Sequence, residues 1–163
     1  MLLFFGKHAW AVESVVYQVK ASYIYNFLQF AQFSPGSVAG ELKVCILGKN
    51  KFGSALNALE GASMPEAKLR ILAIADYVDA SELIPCRVLY VVGNDLEFNR
   101  KILTDIDPTE VLTIGETSEF IDLGGYIELF IEDDFIRFRL NKTLVGKTQF
   151  KVAAQLLSLG VRD

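Results

Sequence analysis

The segment Gly48-Lys49-Asn50-Lys51-Phe52-Gly53-Ser54 has the residue types and the glycine spacing of a phosphate-binding turn. Backbone N–H groups at a helix start attract anions, and glycines let the backbone come close to them. The lysine that should follow the second glycine is replaced by Ser54, so the side chain that would reach a transferring phosphate is missing. This argues against nucleotide hydrolysis and leaves two readings. Either Lys49 or Lys51 helps to hold a small anion, or the segment is a solvated turn in which Gly53 eases entry into a helix. A receiver-type phosphoacceptor site fails on the same residues. It needs an acidic pair after the first strand, where Gly48-Lys49-Asn50 stands, and Asp95 beyond the third strand has no acidic companion. Glu132, Asp133 and Asp134 could meet a divalent cation, but three adjacent carboxylates also suit a solvated hairpin tip. His8 is the one histidine, which removes imidazole from any triad, zinc site or general base within the body of the chain. Cys45 and Cys86 fit a disulfide in an oxidising compartment or two buried thiols in a reducing one.

The elements that must position these groups belong to a chain of 163 residues, 52% apolar, with a net charge of −4. No basic run offers a nucleic-acid footprint. No uninterrupted apolar run approaches the roughly 20 residues of a membrane-spanning helix. Residues 1–11, "MLLFFGKHAWA", contain Ala9-Trp10-Ala11, the small-x-small form of a signal-peptidase site. They read as the remnant of an export signal, the alternative being an N-terminus that docks Leu2 to Phe5 on the core. A single domain over residues 12–163 follows.

Ser14 is placed to cap a helix to about Ala31, which Pro35 ends. Four short apolar runs, 42–48, 69–75, 87–93 and 110–116, read as buried strands. Segments 52–61 and 96–106 read as the helices between them, with Gly61 closing the first. Strand and helix in alternation predict a three-layer α/β fold, a mostly parallel sheet with helices on both faces and right-handed crossovers. The C-terminal third changes period. "YIELFIEDDFIRFRL" alternates around Asp133-Asp134 and predicts an antiparallel edge hairpin. A two-residue turn sets Ile131 opposite Ile136 and Leu129 opposite Phe138 inside, with Glu128 opposite Arg139 outside. "GKTQFKVAAQLLSLG" predicts a closing helix of about three turns that stops at Gly160.

The runs "VKASYIYNFLQFAQFSP", "LKVCILGKNKFGSALNALEG", "CRVLYVVG", "VLTIGETSEFIDLGGYIELFIEDDFIRFRLN" and "AAQLLSLG", in this order, resemble the YfiR family of small exported bacterial proteins. The resemblance extends over roughly Val16 to Val161. It implies a periplasmic α/β regulator without catalysis or cofactor. Such a regulator represses a membrane-anchored diguanylate cyclase, a cyclic-di-GMP signalling enzyme, by binding its periplasmic sensor region. It also implies a Cys45–Cys86 disulfide, since family members carry disulfides and the strand order 2-1-3-4 makes the two strands neighbours. Counting back from Gly48 and Gly93 offsets the two cysteines, which speaks against the bridge if both lie on extended strands. A second cysteine pair of some members has no counterpart between Ile114 and Ile131.

Two further sites remain as expectations. On the opening helix Val16, Val19, Tyr23, Phe27 and Phe30 form one apolar stripe for the sheet, and Tyr17, Ile24 and Leu28 form a second about 100° away. The second stripe is a candidate surface for a partner or a homodimer, or else it packs on Phe150, Ala153, Ala154 and Leu157 of the closing helix. The alternative class of function is a small-ligand sensor. It would use the crevice at the carboxyl ends of the first and third strands, lined by Lys49, Asn50, Phe52, Asn94, Asp95 and Glu116.

Overall fold

The computed structural model describes the backbone of residues 7–161 and the side chains of residues 13–161. The chain opens with helix α1 (Lys7–Phe30), followed by a two-residue strand β1 (Ala31–Gln32) and a single turn α2 (Pro35–Val38). Strands β2 (Glu41–Leu47), β3 (Lys68–Ile74), β4 (Val88–Val91) and β5 (Leu112–Gly115) occupy the four apolar runs, and helix α3 (Leu96–Asp105) crosses from β4 to β5. The hairpin β6 (Ile127–Glu132) and β7 (Phe135–Leu140) follows, then β8 (Lys151–Val152) and α4 (Ala154–Leu159). The six-stranded sheet runs β3-β2-β4-β5-β6-β7, parallel except for β7. The expected α/β class and the order 2-1-3-4 are therefore observed.

Side chains alternate between the faces of this sheet and build two cores. Val44, Ile46, Val88, Tyr90, Ile114 and Ile127 meet α1 and α4 on one side, while Cys45, Leu47, Leu89 and Val91 meet Ile102 and Leu103 of α3 on the other. Glycine decides one close approach. The ring of Phe120, fully buried, lies between Gly115 and Gly125, and a Cβ on either would fall 2.2 Å from it. That contact folds the 116–126 loop down over the second core.

The hairpin has the expected register, with Ile131 opposite Ile136, Leu129 opposite Phe138 and Glu128 opposite Arg139. Asp133 and Asp134 both adopt left-handed backbone, φ 50° and 63°, as a two-residue turn between right-twisted strands requires. Glu128 is not on an outer solvent face. It is buried, pairs with Arg139 and accepts from the Ile121 N–H at 3.3 Å, because the 116–126 loop covers that side. The exposed edge of β7 is blunted: Ile136 O accepts from the Tyr23 hydroxyl at 2.7 Å, and Phe138 O from the Val161 N–H at 2.9 Å.

Four further expectations are corrected. Helix α1 runs straight through Ser14 from Lys7, so Ser14 caps nothing. The segment 52–61 is a 3-10 turn, Gly53–Leu56, and then irregular turns. Its bonds run mainly three residues back, as from Leu59 N to Leu56 O at 3.0 Å, since Gly53, Ser54 and Asn57 are weak helix formers. The closing helix shrinks to Ala154–Leu159, because Lys151 and Val152 pair with Gln32 and Ala31 instead. The fourth concerns the phase of α1. Tyr17, Ile24 and Leu28, expected either as a contact surface or as packing on the closing helix, are 4%, 0% and 1% exposed and so form no contact surface, while Val19 of the expected core stripe is 41% exposed. The helix is rotated so that its Tyr17-Ile24-Leu28 line faces the sheet, and Tyr23 and Phe27 reach sideways to the ring of Phe138, at 6.0 and 5.0 Å. Of residues 1–11, Leu2 to Phe5 lie outside the described residues, and Ala9-Trp10-Ala11 is described only as helical backbone.

Candidate functional site

A buried carboxylate organises the carboxyl end of the sheet. Glu116 directly follows β5, and its side chain is 8% exposed. One turn of α1 separates Tyr17 from Lys20, so both project from the same face toward it. The Tyr17 hydroxyl donates to Oε2 at 2.9 Å and the Lys20 ammonium to Oε1 at 2.9 Å. From the neighbouring strand, the Tyr90 hydroxyl donates to Oε1 at 2.5 Å and the Gly93 N–H to Oε2 at 2.8 Å. The two oxygens thus share four donors from α1 and from the β4 strand end, a well-satisfied arrangement for a carboxylate. Lys20 also sits 4.4 Å from the centre of the Tyr17 ring. Phe52 is wedged edge-on between Tyr17 and Tyr90, at 4.9 and 5.0 Å, and closes the top of the network.

The electrostatics follow from these contacts. Burial pushes the Glu116 carboxyl upward, but the hydrogen bond from Tyr90, the charge and hydrogen bond of Lys20 and the Gly93 N–H together outweigh it. Glu116 ends below the usual carboxylate range and stays charged. Tyr17 and Tyr90 are driven the other way, first by burial and then by the Glu116 charge, so both remain protonated donors.

Two of the six residues expected in a ligand crevice, Phe52 and Glu116, meet here, but in a packed network that Tyr17 and Lys20 fill from above. Asn94 and Asp95 are exposed, and Asp95 is occupied as the cap of α3, accepting from the Phe98 N–H at 3.0 Å. Lys49 and Asn50 lie on the far side of Phe52. There they line an open cleft of about 610 Å³ together with Glu13, Ser14 and Lys51. Gly48 and Gly53 take positive φ, 101° and 55°, so the 48–54 segment is a glycine-kinked turn, and Asn50 Oδ1 accepts from the Phe52 N–H at 2.9 Å. Sequence reading missed Lys20 and Tyr90. The signal was a lysine on an otherwise apolar helix face together with a glutamate at the end of a buried strand.

Cys45 and Cys86 form a disulfide with a Cα separation of 5.8 Å. Cys45 lies on β2 opposite Leu89, whereas Cys86 sits in the turn after the 3-10 helix Ala80–Leu83, its N–H bonded to Leu83 O. Counting equal rises along two extended strands therefore does not apply to this pair.

The family model described as YfiR/HmsC-like matches residues 17–161, from the Tyr17 that reaches Glu116 to the Val161 that pairs with β7. The chain belongs to the YfiR/HmsC-like family. Members of this family are periplasmic regulators of diguanylate cyclases, regulatory rather than catalytic. No curated protein matches the chain. No helix among the described residues is long and apolar enough to cross a membrane, and no group of three or more His, Cys, Asp or Glu among them is placed to hold a metal ion. Within this YfiR/HmsC-like chain the Glu116 network pins the amino-terminal half of α1 to the carboxyl ends of the strands. The helix that covers the crevice thereby also presents its opposite side to solvent beside the 48–62 segment.

Proposed function

We propose that this chain is an exported repressor that binds the periplasmic sensor region of a membrane-anchored diguanylate cyclase and holds down its synthesis of cyclic-di-GMP. The observation that carries the reading is the family match over residues 17–161. Two structural features support it. The Cys45–Cys86 disulfide suits an oxidising compartment such as the periplasm. The buried carboxylate, Glu116, has both oxygens occupied by donors of the chain itself, which suits a structural role better than acid–base chemistry. The test uses purified chain and the soluble periplasmic segment of the cyclase encoded beside it. Binding with micromolar or tighter Kd, and a rise in cellular cyclic-di-GMP when the chain is deleted, is the expected result. Absence of binding by oxidised, folded protein would remove the proposal.

A small-ligand sensor is the second reading, and the cleft of about 610 Å³ at Lys49, Asn50 and Phe52 favours it. A thermal-shift screen against periplasmic metabolites separates the two, since a strong hit without any protein partner supports the sensor.

A further inference from the structure

The cleft at Lys49 does not end at Phe52. A second cavity of about 520 Å³ lies alongside α1, lined by Ala21, Ser22, Tyr25 and Asn26 on the helix side and by Ala55, Ala58, Leu59 and Ala62 on the other. Both cavities include Gln18 and Ala55, so they form one open trench. One wall is α1 from Glu13 to Asn26, about 20 Å at 1.5 Å per residue. The opposite wall is the irregular chain from Lys49 to Ala62.

The trench has a chemical polarity along its length. At the Ala62 end the lining is mainly apolar, with the short side chains of Ala21, Ala55, Ala58 and Ala62, the buried Leu59 and the exposed ring of Tyr25. Short side chains let another backbone approach closely. The amides of Gln18 and Asn26 stand over this lining without any side-chain partner among the described residues, ready to bond to peptide groups. The charged groups are gathered at the other end: Glu13, Lys49 and Lys51. Lys51 and Glu13 offset one another across 3.5 Å, while Lys49 has no ion pair among the described residues. A chain with a net charge of −4 thus presents a local excess of positive charge at one end of an apolar trench.

We infer that this trench is the docking surface for the cyclase's periplasmic region. It takes a segment of that partner with small or apolar side chains against Ala55, Ala58 and Ala62 and a carboxylate at the Lys49 end. The inference rests on the repressor reading above and names its contact surface. Charge complementarity selects an acidic segment. The span of about 20 Å accommodates some 13 residues of helix or six of extended chain.

The test measures binding of the full chain to the soluble periplasmic segment of the neighbouring cyclase by calorimetry. Ala58→Trp fills the trench from an exposed position, and Lys49→Glu reverses its charge; neither side chain is in the core. Each is expected to raise Kd at least tenfold with an unchanged thermal midpoint, and the Lys49→Glu loss should shrink as salt rises. Phe135→Ser at the exposed hairpin tip, 67% exposed in the native chain, should bind normally. If wild type binds and both trench variants bind equally well, or if Phe135→Ser alone loses affinity, the trench is not the docking surface and the repressor reading stands. If wild type itself does not bind, the repressor reading fails and the trench assignment falls with it. If Ala58→Trp abolishes self-association in sedimentation while partner binding is unchanged, the trench is a homodimer face and the inference is overturned.

Discussion

Replacing Glu116 by Gln tests whether the network at the sheet end holds α1 in place. The native pair is nearly dry, with side chains 11% and 8% exposed for Lys20 and Glu116. Removing one partner of a buried ion pair costs about 3–5 kcal/mol, because the other charge is left uncompensated. The ammonium would keep the Tyr17 ring, and a desolvated cation–π contact returns about 1–2 kcal/mol. The expected loss for Glu116→Gln is therefore about 1–4 kcal/mol, centred on about 2.5 kcal/mol. Lys20→Met should cost less, about 2 kcal/mol, since the carboxylate retains Tyr17, Tyr90 and the Gly93 N–H and loses one charged hydrogen bond. The double variant removes both charges and should be more stable than the sum of the single losses by at least about 1.5 kcal/mol. Urea denaturation at neutral pH, with amide exchange over residues 13–22, gives both quantities. Additive losses within about 0.5 kcal/mol would refute the pairing argument. The pH dependence has a definite sign. A carboxyl whose folded value is depressed contributes stability that is fully present above its unfolded value, near 4.5, and is lost as pH falls through the lower folded value. Glu116→Gln should flatten that part of the acid limb below about pH 4.5 relative to wild type.

Three other outcomes are expected. Gly115→Ala should cost about 1–3 kcal/mol in chemical denaturation, because the new methyl meets the immobile Phe120 ring at 2.2 Å. Reduction of Cys45–Cys86, or paired replacement by Ala, should lower stability by about 4 kcal/mol in the chain-entropy model for a sequence separation of 41, measured as a shifted denaturation midpoint. Asp134→Gly should raise the thermal midpoint through about 0.5–1 kcal/mol, since Asp134 holds φ 63° and glycine adopts that conformation without steric cost.

The parts of the fold legible in the sequence are those set by local period. Continuous apolar runs such as "LKVCILG" mark strands buried on both faces, and alternation around Asp133-Asp134 sets the hairpin register residue by residue. Tertiary partners decided what was not legible. Lys151 and Val152 leave the expected closing helix because β1 offers them a ladder. The 52–61 segment, already weak in helix formers, is also tied at its carboxyl end: Gly61 N bonds to Leu69 O at 2.8 Å, and Glu60 accepts from the Ile71 N–H at 2.7 Å. The phase of α1 was misread for a single reason. Helical spacing of the apolar residues alone set Val16 and Val19 toward the sheet and left Lys20 out of account, whereas Val19 is exposed and Lys20 buried. Lys20 faces inward because Glu116, distant in sequence, neutralises it.

The same contact explains why the expected crevice and the expected contact stripe changed places. In an open α/β sheet the strand ends where the order reverses form a hollow, and something must fill it. Here Tyr17 and Lys20 fill it, with Phe52 as the wedge, so Tyr17, Ile24, Phe27 and Leu28 of the opening helix serve packing. The side of α1 turned to solvent carries Gln18, Ser22 and Asn26 together with the exposed Val15, Val19 and Tyr25, and Gln18, Ser22, Tyr25 and Asn26 line the cavity shared with the alanines of 55–62. Because Gln18 lies between Tyr17 and Val19 on the turn that Glu116 holds, any change that loosens the Glu116 network displaces one wall of the trench. The Glu116→Gln variant should therefore weaken partner binding as well as stability, although no residue of the network lines the apolar end of the trench.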